Sequence, residues 1–468
     1  MLFTDLTFLY FHAIVVALRW WLPPRAAGPL LLVASYVFYL SAGPRYVALI
    51  FGATVFAWWV GLALSRATRP RALLGFAVTA LLAMLAWFKY SAFAAQQVAA
   101  LLHLPRPGFT VALPLAISFF SFELISYVVD VRRGTAPERS LWRFALYVSY
   151  YPHLIAGPIV RAEELLPSLR APKPFDDTRF GDGVYILLIG FLKKTVLADR
   201  MAPWADAVFS DPSAHGTLGV WMGVLAYTGQ IYCDFSGYTD IARGASLTLG
   251  LPLPENFDWP YLSTSITEFW RRWHMTLSRW LRDYLYIGLG GNRGGPLRQY
   301  RNLLLTMLLG GLWHGANWTF VAWGALHGLA LCAHKLWDTA LRGFPLAQRV
   351  RASRPYLLLA WAATLLTVAA AWVLFRAPTF ARAWSVLLRL THDVAGVGAL
   401  GTPTPAAMRS AEYALLALVV GHLLALRGVG WAVHRALPPI ARGLYWALII
   451  LVCFVFAETR ATFIYFQF

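Results

Sequence analysis

Two stretches of this 468-residue chain place an imidazole among apolar and aromatic neighbours. In NLLLTMLLGGLWHGANWTFVAWGALHG, residues 302–328, His314 interrupts an otherwise apolar run and is flanked by Gly310, Gly311 and Gly315. An ionisable side chain at membrane depth is costly enough that function is its default reading. Neutral histidine is the cheapest such group to place there, and it can still act as a general base. An inter-helix hydrogen bond is the competing use. The glycines would let a neighbouring helix or a substrate approach the backbone closely. His327 lies 13 residues beyond His314. On a continuous helix it would point away from His314, and it is expected to support a different wall.

The second stretch is STSITEFWRRWHMTLSRWLRDYLYIGLGG, residues 263–291. Ser265 and Glu268 form a capping-box pattern that marks a helix start. At about 100° per residue, Arg271, Arg272, Arg279, Arg282, Glu268 and Asp283 share one arc. Phe269, Trp270, Trp273, Leu277, Trp280, Leu281 and Tyr284 share the opposite one. The pattern predicts one amphipathic helix in the membrane interface, its arginines anchoring it in the headgroup layer and its aromatic face in lipid or protein. His274 falls on the flank of the aromatic arc, one turn from Trp270 and Ser278. Taken alone, it fits a hydrogen-bonded boundary histidine as well as a catalytic one.

Other polar groups read as structural. Glu123 and Asp130, seven residues apart, could share a helix face, with Asp130 nearer the interface. Asp234, Asp240 and Arg243 in YCDFSGYTDIARG suggest an intramembrane ion pair fixing a broken helix. GLGGNRGG at 288–295 follows an aromatic helix and not a strand, so a helix cap and turn explain it better than a phosphate loop. There is no G-x-S-x-G elbow and no H-E-x-x-H pair. Cys233, Cys332 and Cys453 stand alone, which suggests neither disulfides nor a zinc cluster.

The elements that must hold these residues follow from composition. Hydrophobic residues make up 59% and charged ones only 13%, against roughly a quarter charged in a soluble domain. A soluble enzyme, a disordered chain and a repeat solenoid are therefore excluded. The 40 Lys+Arg against 22 Asp+Glu leave a net +18. In so apolar a chain that excess reflects cytoplasmic loops and not a nucleic-acid partner. Apolar windows at 6–22, 28–43, 46–64, 72–88, 109–131, 181–197, 217–235, 302–316, 317–337, 356–375, 412–426 and 442–457 predict ten to twelve crossings. The first of these is read as a retained span, since no basic n-region or cleavage site accompanies it. Arg19 and Arg25, Arg66, Arg69 and Arg71, then Arg132, Arg133 and Arg139 follow alternate spans, which puts the N-terminus outside. The segment 141–157, with Arg143 and Pro152, reads as re-entrant. No loop is long enough to hide a soluble domain, and no internal repeat is evident.

WRRWHMTLS, GLWHGANWTFVAWGALHG, YLYIGLGGNRGG, GQIYCDFSGYTDIARG and the terminal FIYFQF together resemble the membrane-bound O-acyltransferase family. The chain is most similar to its bacterial branch, the membrane subunits of alginate and related polysaccharide O-acetylation systems. ASYVFYL at 34–40, PHLIAGPIVRAEELLP at 152–167 and GFLKK at 190–194 extend the likeness over essentially the whole chain. The resemblance implies an all-α polytopic fold, a ring of tilted transmembrane helices with interfacial and re-entrant helices. It implies one membrane-embedded O-acyltransferase domain over residues 1–468, with a catalytic core about 225–330. It makes His314 the principal catalytic residue and puts His274 at a position that is Asn or His in the family. The two are 40 residues apart, so the tryptophan-rich segment must fold back to meet His314.

The activity implied is transfer of an acetyl group from a cytoplasmic thioester, acetyl-CoA being the expected donor, with no bound cofactor and no metal. The implied partners are the lipid bilayer, an exported polysaccharide and a periplasmic acetyl-transfer protein with a serine-hydrolase-like fold. The implied place is the bacterial inner membrane. Within the same family, D-alanyl transfer from a carrier protein to teichoic acid is the alternative. A polysaccharide transporter or scaffold is the alternative from another class.

Overall fold

The computed structural model describes residues 1, 3–105, 107–155, 157–392 and 405–457, so the FIYFQF motif at 463–468 lies outside the described residues. Among the described residues every regular element is helical. Besides short 3-10 and π-helical turns, the α-helices in chain order are α1 (Leu6–Trp21), α2 (Pro24–Leu40), α3 (Pro44–Leu64), α4 (Pro70–Leu101), α5 (Ile117–Arg133), α6 (Leu141–Ser149), α7 (Tyr151–Leu154), α8 (Ala162–Arg170) and α9 (Asp177–Phe191). There follow α10 (Asp199–Ser210), α11 (Thr217–Thr248), α12 (Ile266–Arg272), α13 (Met275–Trp280), α14 (Pro296–His314) and α15 (Trp318–Leu341). The last are α16 (Pro345–Arg351), α17 (Arg354–Arg376), α18 (Phe380–Arg389), α19 (Pro405–Ala425), α20 (Val429–Ala436) and α21 (Pro439–Phe456). Several begin with proline in their first two positions, where a missing N–H breaks no intrahelical bond.

Each apolar window expected from the sequence overlaps a helix, although in the window 109–131 the helix begins only at Ile117. Five helices, α3, α4, α17, α19 and α21, are long and apolar enough to cross a membrane. Others differ for identifiable reasons. α1 is apolar but only 16 residues long. In α5 every residue from Ile117 to Val128 is buried, so that helix is walled in by protein. The segment 141–157 is broken at Tyr150 into the short α6 and α7, both largely buried.

The chain divides into two compact units, Met1–Leu187 with Tyr238–Glu255, and Leu188–Gly237 with Asn256–Phe468. In the first, buried polar groups tie distant segments together. His12 Nδ1 lies 2.8 Å from the Tyr151 hydroxyl, and its Nε2 lies 3.1 Å from Thr248 Oγ1. Glu123 Oε1 accepts the Val160 N–H and lies 3.1 Å from His153 Nε2, with both side chains enclosed. Asp130 instead pairs with Arg133 at the exposed end of α5.

The second unit is organised on the α14–α15 hairpin. A Cβ on Gly311 would collide with the Phe320 carbonyl oxygen, and one on Gly324 with that of Met307. The two backbones touch there, as the glycines of the WHG stretch implied. Close packing of α14 on α15 leaves His314 at the turn. A buried Lys194 joins Asp199 and Asp234, its Nζ 2.6 and 2.7 Å from their oxygens.

That trio corrects the expected grouping of Asp234 with Asp240 and Arg243. α11 runs unbroken from 217 to 248. Asp234 serves Lys194, whereas Arg243 bridges Asp240 and Glu255 in the first unit. A buried ammonium attracts whichever carboxylates its own helix and its neighbour present, and sequence spacing cannot reveal that choice.

Candidate active site

His314 is the last residue of α14 and is almost fully buried. The chain leaves it through extended Gly315, and Asn317 then caps α15 by accepting the Thr319 N–H at 3.1 Å. The Asn317 amide also donates to the Pro378 carbonyl at 3.0 Å, which ties the turn to the residues after α17. Around the imidazole stand Trp313 at 5.0 Å, Trp323 at 5.0 Å and Phe375 at 5.1 Å between ring centroids, all near perpendicular. Edge-to-face packing on three sides fixes the plane of the ring. It also makes the surroundings dry.

The expected single helix over 263–291 is interrupted. α12 ends at Arg272, and α13 begins at Met275. Between them His274 sits at φ 42°, ψ 54°, in the left-handed region. For a residue with a Cβ this conformation costs of order 1–3 kcal/mol and persists only where the surroundings dictate it. Here Asn256 dictates it. Its carbonyl oxygen accepts the Met275 N–H at 2.9 Å. Its side-chain Oδ1 accepts from Thr276 N at 3.1 Å and Thr276 Oγ1 at 2.9 Å. The capping pattern at the start of α12 is half reciprocal: Ser265 Oγ accepts the Glu268 N–H, while the Glu268 carboxylate takes the Thr264 N–H and hydroxyl. The aromatic face, Phe269, Trp273 and Leu277, is buried in protein.

The same oxygen settles the protonation of His274. A backbone N–H can only donate, so the Asn256 atom facing Thr276 N is the oxygen. His274 Nδ1 lies 3.1 Å from that oxygen and must therefore carry the ring proton. Nε2 is left with a lone pair, fully buried and with no hydrogen-bond partner among the described residues. Phe235 packs edge-on at 4.7 Å, and Trp313 lies 6.3 Å away.

Trp313 is thus the ring that His274 and His314 share, and the tryptophan-rich segment does fold back to the WHG turn. His327 departs from expectation. The chain turns at Gly315–Asn317 instead of continuing as one helix, so α15 brings His327 back to the same aromatic cluster. It lies 4.8 Å from Trp323, the ring that also packs on His314, and its Nδ1 accepts from Trp270 Nε1 at 3.3 Å. It braces the tryptophans. Asn256 was not singled out from the sequence, and nothing local in PENFDWP marks it. GLGGNRGG forms a turn in which Gly290, Gly291, Gly294 and Gly295 take positive φ, tied down by Asn302 Nδ2 to the Gly291 carbonyl at 3.1 Å.

The model of the membrane-bound O-acyltransferase family matches residues 136–366, which hold both histidines. A "Probable alginate O-acetylase" of Azotobacter vinelandii is 44% identical over 396 residues, 82% of this chain and 77% of that protein. A "Peptidoglycan O-acetyltransferase" of Helicobacter pylori is 37% identical over 76% of this chain and 72% of its own. A "Teichoic acid D-alanyltransferase" of Streptococcus thermophilus is 30% identical over 48% of this chain and 57% of its own. At such identity and coverage the chain is a multi-pass membrane acyltransferase that belongs to the membrane-bound O-acyltransferase family.

Proposed function

We propose that this protein moves an acetyl group from a cytoplasmic thioester, acetyl-CoA, across the inner membrane for O-acetylation of an exported polysaccharide such as alginate. The arginine-rich loops supply the attraction for the donor's phosphates. His314 acts as general base, taking the proton of an acceptor hydroxyl as its oxygen attacks the thioester carbonyl. The carbon–sulfur bond breaks, and the proton passes from His314 to the departing sulfur. The acetyl group then reaches the sugar directly or through a periplasmic partner with a serine-hydrolase-like fold.

The observation that carries this reading is the pair of histidines on one tryptophan, with His274 locked in the Nδ1–H form. That tautomer bears on the two roles open to His274, orienting the acceptor hydroxyl or helping to hold the developing oxyanion. A neutral ring with a bare Nε2 accepts a hydrogen bond and cannot give one to a developing oxyanion. The acceptor hydroxyl has one proton, and His314 takes it, so His274 acts as a positioning residue through the Trp313 ring that the two histidines share. The dry aromatic walls strengthen such polar contacts and limit hydrolysis.

The acetylase relatives cover about three quarters of both partners, the alanyltransferases about half, and this supports acetyl over D-alanyl transfer. Protein in nanodiscs given labelled acetyl-CoA should transfer or turn over label, and His314→Ala should stop it. General bases supply about 10²–10⁴-fold, so a smaller loss would count against that role. Donation only by a D-alanyl carrier protein would move the chain to the alanyl branch. No thioester turnover with either donor would leave a transporter or scaffold.

A further inference from the structure

A groove in the second unit has no part in this chemistry. It lies between the start of α12, α15 and α17 and encloses about 540 Å³, within the size range of small-molecule clefts. Along α17, Ala360, Ala363, Thr364 and Thr367 line it at helical spacing, and Ala330 and Ala333 of α15 stand opposite. Side chains this small leave a trough that is mainly apolar. One end is different. His334, Arg351 and Tyr356 line it there.

The groove is therefore polar and cationic at one end and apolar along the rest. The charge extends beyond it: residues 342–354 hold Arg342, Arg349, Arg351 and Arg354 and no acidic residue. A short basic connection between apolar helices faces the cytoplasm, where the leaflet carries anionic headgroups. Arg351 gives one nitrogen to Asp338 at 2.9 Å; a guanidinium has five N–H donors, so others remain. α17 is itself a candidate span, and Leu358, Leu359 and Leu366, beside the groove residues, are exposed on its surface.

We propose that this groove holds one acyl chain of an anionic phospholipid, with the lipid phosphate at the Arg351–His334 end. The lipid is a resident of the fold, distinct from the acyl donor. It also touches the catalytic region indirectly. His334 Nδ1 lies 3.0 Å from Thr267 Oγ1 of α12, the helix that ends at the His274 bend.

The full chain, purified in neutral detergent, is tested by native mass spectrometry and thermal melts with added phosphatidylglycerol, phosphatidylcholine or inorganic phosphate. Phosphatidylglycerol should be retained and should raise the melting temperature, and inorganic phosphate alone should not. Arg351→Gln should lower retention about five-fold, the effect of one arginine at a lipid headgroup. Ala363→Phe, which fills the trough, should lower it at least as much. Unchanged retention in both variants overturns the proposal. So does equal retention of phosphatidylcholine, or stabilisation by inorganic phosphate that matches the lipid. Should Ala363→Phe fail to fold, phosphatidylglycerol with a photoactivatable acyl chain decides on the native protein. Adducts on peptides from 354–376 support the site, and adducts only elsewhere refute it.

Discussion

Asn256 offers the sharpest test of how the site is built, because one oxygen serves His274 and Thr276 together. Asn256→Ala removes that acceptor and frees the imidazole to move its proton to Nε2. A hydrogen bond of this kind contributes about 0.5–1.5 kcal/mol net, so the Nδ1–H form should lose roughly three- to ten-fold in population. The lost acceptor also leaves buried donors around Thr276, at about 1–3 kcal/mol of stability. Expected together are a fall of about ten-fold in kcat, little change in KM for the thioester, and a lower melting temperature. Single-turnover label transfer gives the rate, and ¹⁵N spectra of histidine-labelled protein give the tautomer. Because Asn256 acts through His274, the double variant Asn256→Ala/His274→Ala should be no slower than His274→Ala alone. Multiplying effects in that cycle, or a native spectrum with the proton on Nε2, would refute the reasoning.

Two further outcomes follow. His274→Gly and His274→Ala delete the same ring, so their difference reports the left-handed backbone. Glycine should melt higher, by roughly 1 kcal/mol of stability, although elsewhere it is the less stable of the two; alanine melting higher would sink the strain argument. Lys194→Met leaves Asp199 and Asp234 buried without their ammonium, and losing one partner of a buried ion pair costs about 3–5 kcal/mol. Adding Asp199→Asn and Asp234→Asn should recover most of the loss, and a single variant that melts like the native protein would argue against the trio.

What the sequence disclosed was what depends on nearby residues. Hydropathy and length are local, so each apolar window overlaps a helix, the eight residues before Ile117 in the window 109–131 excepted. His314 stood out because an imidazole in an apolar run is anomalous whatever surrounds it in space. The tryptophan-rich segment misled for a related reason. Its 3.6-residue pattern continues across Trp273 and His274, so the helical wheel shows no seam. The interruption comes from Asn256, 18 residues earlier, which takes the backbone and side-chain groups a continuous helix would have used otherwise. Lys194 and Asp234 are a comparable case, since only packing of their helices makes them partners. His327 was misplaced because one glycine-containing turn reverses the chain between it and His314.

The break at His274 is what makes the constellation work. On a continuous helix the residue's side chain would lie on the flank of an aromatic face, and its ring nitrogens would be free to take either tautomer. The left-handed residue swings the imidazole out of the helical row and onto Asn256. One nitrogen is thereby spent on a fixed acceptor, and the other keeps its lone pair in a water-poor pocket against Phe235 and Trp313. Strain of order 1–3 kcal/mol is small beside the rate that general-base geometry can supply, about 10²–10⁴-fold or several kcal/mol. The WHG turn solves the same problem by another route. Gly311 lets α14 and α15 meet backbone to backbone, and the tight turn that follows leaves His314 at the helix end among three rings. Neither histidine depends on a mobile loop for its position. Among aromatic side chains, where few polar partners stand near enough to correct a misplaced ring, rigid walls and one well-placed amide do the orienting.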